Sequence, residues 1–188
     1  MPQEEQTPVA YSATYTLTKQ EYLDALAAKA HAYPDKKKQI LSGLLVLVLL
    51  LYVTPFLSGE FTIPGIIAVA LILLVLFAMW GIPLVQKHRL VNSLVKGDTT
   101  GTVNIYQDKV EFVQKAGTYQ ITTEETQDLL ETKYMFLVTK KDDSSILIPK
   151  VYFKDDFDNM TMFFENIYKD KYHYVKNAYF RFLPGRRG

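Results

Sequence analysis

Cysteine is absent from the 188 residues of this chain. Disulfides, thiolate nucleophiles and cysteine-based metal sites are therefore excluded, and the composition suits a reducing compartment. The three histidines, His31, His88 and His173, lie far apart and outside any HExxH frame, so we expect no metal site. Neither a nucleophile elbow nor a phosphate-binding loop motif occurs. The sequence accordingly predicts a protein that is not an enzyme and carries no cofactor.

Charge is missing from the middle of the chain. Between Ile40 and Val85 the only formally charged residue is Glu60, although the whole chain has a formal charge of +1 and a mean hydropathy close to zero. Ile40–Leu57 has 18 residues and Ile63–Val85 has 23. As α-helices they would reach about 27 and 34 Å, against a hydrocarbon core of about 30 Å. We therefore predict two membrane spans, because the chain is too short to bury such a hairpin in a soluble core.

The connection between the two predicted spans contains no lysine or arginine. Basic residues lie at the opposite ends: Lys36, Lys37 and Lys38 precede the first span, and Lys87 and Arg89 follow the second. The positive-inside rule places these flanks, and so both termini, in the cytoplasm. We interpret the five residues as topology signals at the membrane interface, with contact to anionic headgroups as the alternative. The predicted location is the inner, cytoplasmic membrane, crossed twice.

Neither predicted span resembles a conduction path. No ionisable residue lies inside them, and such residues normally mark ion or proton routes. They also lack a GxxxG dimer motif. The spans are therefore interpreted as an anchor, and the oligomeric state is left open.

The polar leader, residues 1–39, contains two further predicted elements. Tyr11–Leu17 alternates apolar and polar residues, which indicates a half-buried strand. Thr18 and Glu21 have the spacing of a capping box, and they predict a helix over Lys19–Ala32. The apolar stripe expected to pack on the cytoplasmic domain consists of Tyr22, Leu26, Ala30 and Tyr33.

Beyond the second span the apolar period becomes that of strands. Six short runs rich in β-branched and aromatic residues are separated by turn residues, and they predict an antiparallel meander between Gly101 and Pro149. Asp155, Asp156 and Asp158 then crowd the start of a predicted helix. Its apolar residues at helical spacing are Phe157, Met160, Phe164 and Ile167. Residues 90–170 are therefore predicted to form a small α+β domain, an antiparallel β-barrel closed by a C-terminal helix.

The order of these parts, with the phrases "YTLTKQEY" and "ILIPKVYF", resembles the YcxB-like family of bacterial membrane proteins. The resemblance covers about Tyr11–Lys169. The C-terminal domain of that family is similar to bacterial pleckstrin-homology (PH-like) domains. The resemblance implies a barrel of seven strands with a C-terminal helix, and it implies no catalytic residues.

The seventh strand is missing from the six runs after the second span. An incomplete barrel leaves exposed edges that invite mispairing. Tyr11–Leu17 has an apolar face that a lone strand cannot bury, and the predicted hairpin returns the chain to the same side of the membrane. We therefore predict that Tyr11–Leu17 pairs with an edge of the Gly101–Pro149 sheet, which makes the hairpin an insertion within one fold.

The C-terminal tail, residues 171–188, mixes basic and aromatic residues. Lys169–Gly188 has a net charge of +5, a composition typical of an interfacial lipid-binding segment. The candidate lipid or partner contacts are Lys171, Tyr172, Lys176, Tyr179, Arg181, Arg186 and Arg187. The alternative is a helix extension that packs on the domain with a solvated basic end. Nucleic acid is disfavoured as a partner because the domain is tethered at a bilayer.

Two functions of different class remain open at this stage. The first is a membrane-anchored adaptor or regulator that presents a PH-like domain to a cytoplasmic protein or lipid. The second is a membrane immunity or defence protein that neutralises a toxin acting on the same membrane. The expected partners are the lipid bilayer and an unidentified protein.

Overall fold

A computed structural model describes residues 8–59, 62–153 and 156–176 of the chain. The chain divides into two compact units. The hairpin unit is Tyr33–Leu90, and the α/β unit joins the chain up to Ala32 with the chain from Val91 onward. The main elements are β1 (Tyr11–Thr16), α1 (Lys19–Ala32), α2 (Lys36–Leu57), α3 (Ile63–Leu94), β2 (Thr100–Ile105), β3 (Lys109–Gln114), β4 (Gly117–Thr122), β5 (Thr126–Glu131), β6 (Met135–Lys140), β7 (Ser145–Pro149), α4 (Phe157–Tyr168) and β8 (Tyr172–Tyr174).

The hairpin unit is built from α2 and α3, which have 22 and 32 residues. Both are long and apolar enough to cross a membrane, and only 0% and 6% of their most apolar windows are buried within the protein. The prediction of two long apolar helices is confirmed. Both helices run past the apolar segments, because α2 already begins at Lys36 and α3 continues to Leu94. Polar residues with good helix propensity continue a helix regardless of where an apolar run ends.

The leader strand β1 is part of the first sheet, whose order is β1-β2-β3-β4. It pairs antiparallel with β2 over its whole length, from Tyr11 opposite Ile105 to Thr16 opposite Thr100. On the exposed face, hydroxyl and amide groups pair across the two strands, as in the 2.7 Å contact between Thr14 and Thr102. The prediction that the leader strand pairs with an edge of the later sheet is confirmed, and the hairpin is an insertion within one unit.

The second sheet has the order β7-β6-β5-β8. Its first three strands are antiparallel, and the short β8 runs parallel to β5, with Tyr172 opposite Leu129. All six strands predicted between Gly101 and Pro149 are present. Strand β8 was not predicted, because three residues are too few to show a period of two.

The predicted single barrel is not what the described strands form. The meander divides after β4, and β4 and β5 are in different sheets. The turn between them is tightened by side-chain bonds, including Thr126 Oγ1 to the Thr122 carbonyl at 2.8 Å. Two twisted sheets packed face to face bury a shared core without the strand pairing that closes a barrel.

The main core lies between the two sheets and α4. Inward-facing side chains of both sheets meet there, and α4 adds its apolar stripe. The buried members are Tyr15, Leu17, Val103, Ile105, Val110, Ile121, Leu129, Phe136, Val138, Ile146, Ile148, Phe153, Met160, Phe164 and Tyr168. All four residues predicted for the α4 stripe lie in this core or pack against it, and Tyr168 extends the stripe.

The leader helix α1 begins and ends where the sequence predicts. Its capping box is formed, with the Thr18 N–H donating to Glu21 Oε2 at 2.7 Å and the Glu21 N–H donating to Thr18 Oγ1 at 3.3 Å. Of the predicted stripe, Tyr22 packs against the main core, but the buried residues of the helix are Leu23, Ala25 and Ala28. The two alanines pack in a second cluster on the outer face of the second sheet. Small side chains let a helix approach a sheet closely, so the contact face follows alanine rather than the larger residues.

Candidate functional site

The predicted topology lysines lie in the first turn of α2. Lys36 and Lys37 are exposed, and Lys38 is half-buried. Asp35 caps the helix, since its Oδ1 accepts a hydrogen bond from the Lys38 N–H at 3.0 Å. Asp35 and the three lysines together give the N-terminal end of α2 a net charge of +2.

Lys38 is brought together with a residue that sequence reasoning missed. Its Nζ lies 4.5 Å from the ring centroid of Trp80 on α3, a distance at which a cation is attracted to the face of an indole. Trp80 is 46% exposed. The clue was present in the sequence, because tryptophan is enriched at membrane–water interfaces and this is the only tryptophan of the chain.

Lys87 and Arg89 lie farther along α3. They follow Trp80 by 7 and 9 residues, which corresponds to about 10 and 13 Å along the helix axis. Arg89 is exposed and Lys87 is half-exposed. The structure therefore separates the five predicted topology residues into two levels, one at the start of α2 and one near the end of α3.

Of the seven candidate contacts in the C-terminal tail, the structure describes three. Tyr179, Arg181, Arg186 and Arg187 lie outside the described residues. Lys171 donates a hydrogen bond from Nζ to the Thr123 carbonyl at 2.8 Å. Tyr172 belongs to β8 and packs against the main core, whereas Lys176 is exposed.

The first residues beyond the predicted boundary at residue 171 extend the second sheet. Strand β8 adds an edge to the second sheet, and the Val175 N–H donates to the Glu131 carbonyl at 2.7 Å. Val175 itself is buried. The segment does pack on the domain, but as the strand β8 rather than as the helix extension considered above. Of the described candidate contacts, Lys176 is the exposed one.

A buried ion pair lies beside β8. Lys150 Nζ contacts Glu131 Oε1, and the two side chains are only 8% and 7% exposed. The same ammonium lies 4.6 Å from the ring centroid of Phe136 and 4.2 Å from that of Phe157. Burial lowers the pKa of Lys150, and the bond to Glu131 opposes that shift. This cation has a carboxylate and two aromatic faces as partners, so it holds β5 to the turn after β7 rather than offering a reactive group.

Other titratable groups of the described chain do not converge. Over residues 8–59, 62–153 and 156–176, no group of three or more His, Asp or Glu side chains is placed to hold a metal ion. His173 Nε2 and Asp128 Oδ1 form a surface pair at 3.3 Å, with the imidazole mostly exposed. These positions supply no arrangement of nucleophile, base and orienting group.

Exposed apolar side chains of the α/β unit lie on several elements. Val151 and Tyr152 follow one another in the short 3-10 turn Lys150–Phe153, and Met162 and Tyr174 lie on α4 and β8. Tyr152 is held by stacking on Tyr15, with ring centroids 5.3 Å apart.

The chain was compared with family models, with curated proteins and with solved structures, and it matches none of them.

Proposed function

We propose that this chain is a non-enzymatic adaptor or regulator anchored in the inner membrane. In this proposal α2 and α3 cross the bilayer, and the α/β unit is presented to a cytoplasmic protein or lipid. The observation that carries the proposal is the exposure of the hairpin's apolar windows, of which 0% and 6% are buried. Exposed apolar surface of this extent needs an apolar solvent, and helices satisfy their own backbone groups inside a bilayer.

The orientation follows from the charges. Lys36, Lys37, Lys38, Lys87 and Arg89 lie toward the ends of the hairpin away from the connection, and residues 58–62 of the connection contain no lysine or arginine. The positive-inside rule then assigns both ends of the hairpin to the cytoplasm. The α/β unit, which is continuous with both ends, is on the same side.

The arrangement of the α/β unit supports the resemblance to YcxB-like proteins. The resemblance implies seven strands and a C-terminal helix, and this unit has seven strands before α4, with β8 as an addition. In this proposal the hairpin is inserted between α1 and β2 of the PH-like domain. Such modules act by binding, which agrees with the engaged rather than reactive state of Lys150 and Glu131.

The topology is tested with reporters fused in living cells. A fluorescent protein fused after Gly188 is expected to fluoresce, and a phosphatase that is active only outside the cytoplasm is expected to be active when inserted at Gly59. Changing Lys36, Lys37 and Lys38 together to Glu is expected to reduce correctly oriented protein. Phosphatase activity after Gly188, or extraction of the chain by alkaline carbonate, would contradict the membrane proposal.

The adaptor role is tested by crosslinking in the same cells. A photoreactive residue replaces Tyr119, Met162 or Tyr174, which are exposed in the α/β unit. One of these positions is expected to give a discrete protein adduct after irradiation. The matched control is the same residue at Leu51, which faces outward from α2 and should give lipid adducts. If all three positions in the α/β unit give only lipid adducts, the partner of that unit is a lipid rather than a protein.

A further inference from the structure

Lys38 and Trp80 mark one common level on the hairpin. Lys38 precedes the end of α2 at Leu57 by 19 residues, and Trp80 follows the start of α3 at Ile63 by 17 residues. These separations correspond to about 28 and 26 Å along the two helices. The 4.5 Å contact between Lys38 Nζ and the Trp80 ring agrees with this count. Both residues therefore lie about one hydrocarbon thickness, about 30 Å, from the turn.

We propose that the open end of the hairpin binds the phosphate headgroup of an anionic phospholipid in the cytoplasmic leaflet. The site consists of Lys36, Lys37, Lys38 and Trp80. This inference rests on the membrane insertion proposed above and adds to it a specific lipid ligand. Tryptophan at this depth lies at the level of the headgroups, where the indole has apolar contact below and water above.

The geometry of Lys38 favours a phosphate ligand. One face of its ammonium group is directed at the indole by the cation–π contact, while an ammonium group has three donors. The remaining donors are available to an anion held at the same level. Lys36 and Lys37 are exposed one turn or less away and add charge, whereas the Asp35 carboxylate is engaged by the Lys38 N–H.

The more distant cations are not part of this site. Lys87 and Arg89 lie about 10 and 13 Å beyond Trp80, more than the Debye length of about 8 Å at physiological salt, so their attraction for an anion at Trp80 is largely screened. This placement also moves the predicted membrane boundary on α3 from Val85 to about Trp80. The remaining 14 residues of α3, about 21 Å, then lie outside the hydrocarbon.

Trp80 is its own reporter, since the chain has one tryptophan. The full-length protein is reconstituted into neutral phosphatidylcholine vesicles that contain a small fraction of brominated lipid, either phosphatidylglycerol or phosphatidylcholine. Bromine quenches tryptophan fluorescence at short range. We expect brominated phosphatidylglycerol to be preferred at Trp80 at least about fivefold over brominated phosphatidylcholine, since one surface lysine alone supplies about that preference.

Two variants and one control assign that preference. Lys38→Gln is expected to reduce it about fivefold, and Lys38→Arg is expected to keep it. Lys19→Gln, which removes an exposed charge on α1, is expected to leave it unchanged. Inorganic phosphate is expected to lower the preference no more than chloride of equal ionic strength, because the ligand is a lipid.

Each outcome bears on one of the two proposals. Equal quenching by both brominated lipids, or an unchanged preference in Lys38→Gln, would overturn the lipid site while leaving membrane insertion intact. Specific competition by inorganic phosphate would show that the ligand is a free anion and would also overturn it. If neither brominated lipid quenches Trp80, the hairpin is not inserted, and the proposed function fails with the inference.

Discussion

The two units of this chain place the same kinds of side chain in opposite surroundings. Leu51 of the hairpin is 74% exposed, whereas Leu137 of the α/β unit is 1% exposed. Leucine is apolar in both places, so what differs is the partner that removes it from water. In the α/β unit two sheets and two helices supply that partner, whereas the hairpin unit is built from two helices whose apolar windows are almost unburied. An apolar run therefore predicts that its side chains are removed from water, but it does not say whether protein or another apolar medium covers them.

The units also differ in how far along the chain their partners lie. The hairpin joins α2 to α3 across a short turn, whereas β1 pairs with β2 across the whole hairpin, as in the pairing of Tyr11 with Ile105. Loop-closure entropy grows slowly with length, so an insertion of this size costs little stability once both ends are fixed. Because β1 precedes the hairpin and β2 follows it, the first sheet can be completed only after the hairpin has been synthesised.

Removing the leader should have the largest effect. A chain that begins at Tyr33 lacks β1 and α1, and with them Tyr15 and Leu17 of the main core and the partner of β2. We expect it to lose cooperative unfolding, because the loss exceeds the stability of about 5–15 kcal/mol that small domains have. The measurement is thermal unfolding followed by circular dichroism in detergent.

The converse deletion sharpens the same comparison. Replacing Tyr33–Leu90 by a flexible Gly/Ser linker removes the hairpin and leaves the α/β unit whole. We expect a soluble, cooperatively folded protein. The division would be contradicted if the variant with the Gly/Ser linker is unfolded while the chain without the leader stays folded. The folded unit would then not be the one that joins the chain up to Ala32 with the chain from Val91 onward.

Breaking the buried ion pair should have the next largest effect. Lys150→Ala leaves the Glu131 carboxylate buried without its cation, and such a change typically costs about 3–5 kcal/mol. The double variant Lys150→Met, Glu131→Leu removes both charges, and we expect it to lie within about 2 kcal/mol of the parent. Urea unfolding of the full chain in micelles, followed by near-ultraviolet circular dichroism of the tyrosines, gives both values. Equal losses in the single and double variants would contradict this account.

Two leucines provide a matched pair. Leu137→Ala creates a cavity between β6 and α1 and should cost about 2–5 kcal/mol in the same urea experiment. Leu51→Ala removes the same atoms from an exposed position on α2 and should leave the unfolding of the α/β unit unchanged. Trp80 emission then reports on the hairpin separately. A similar loss in both variants would mean that Leu51 is covered by protein.

Local patterns predicted most of the elements, because they depend on neighbouring residues. The capping box of Thr18 and Glu21 located the start of α1, and alternation in Tyr11–Leu17 located β1. The pairing of β1 was also predictable, since an apolar face on a lone strand needs an edge to join. What a pattern could not give was the division into two sheets, which depends on how distant faces pack.

The candidate sites were less predictable than the fold. The lysines at the start of α2 are visible in the sequence, but the contact of Lys38 with Trp80 depends on counting both helices from the same turn. The Lys150–Glu131 pair joins residues 19 positions apart in elements that show no charge pattern. The buried face of α1 was mistaken because Ala25 and Ala28 carry little weight in an apolar stripe although they allow the closest packing.

Alkaline pH should separate the two units by a smaller effect. Tyr168 is 4% exposed at the end of α4, and burial raises its pKa to about 12 from an ordinary value of 10.0, with Asp108 adding to the rise and a bond to Thr126 opposing it. Burial raises the pKa of Tyr15 in the same direction. The folded state thus holds these protons above pH 10, where the unfolded chain releases them.

The stability contributed by the protonated Tyr168 is fully present below pH 10 and is lost as the pH rises toward 12. A shift of this size corresponds to about 2–3 kcal/mol. Urea unfolding of the full chain in micelles between pH 9 and pH 12 should therefore show a falling midpoint for the α/β unit, with a shallower fall in Tyr168→Phe. Tyr52, exposed on α2, provides the control, since Tyr52→Phe should leave the slope unchanged. If Tyr168→Phe has the slope of the parent, the proton held by Tyr168 does not couple to folding, and the alkaline loss belongs to other groups.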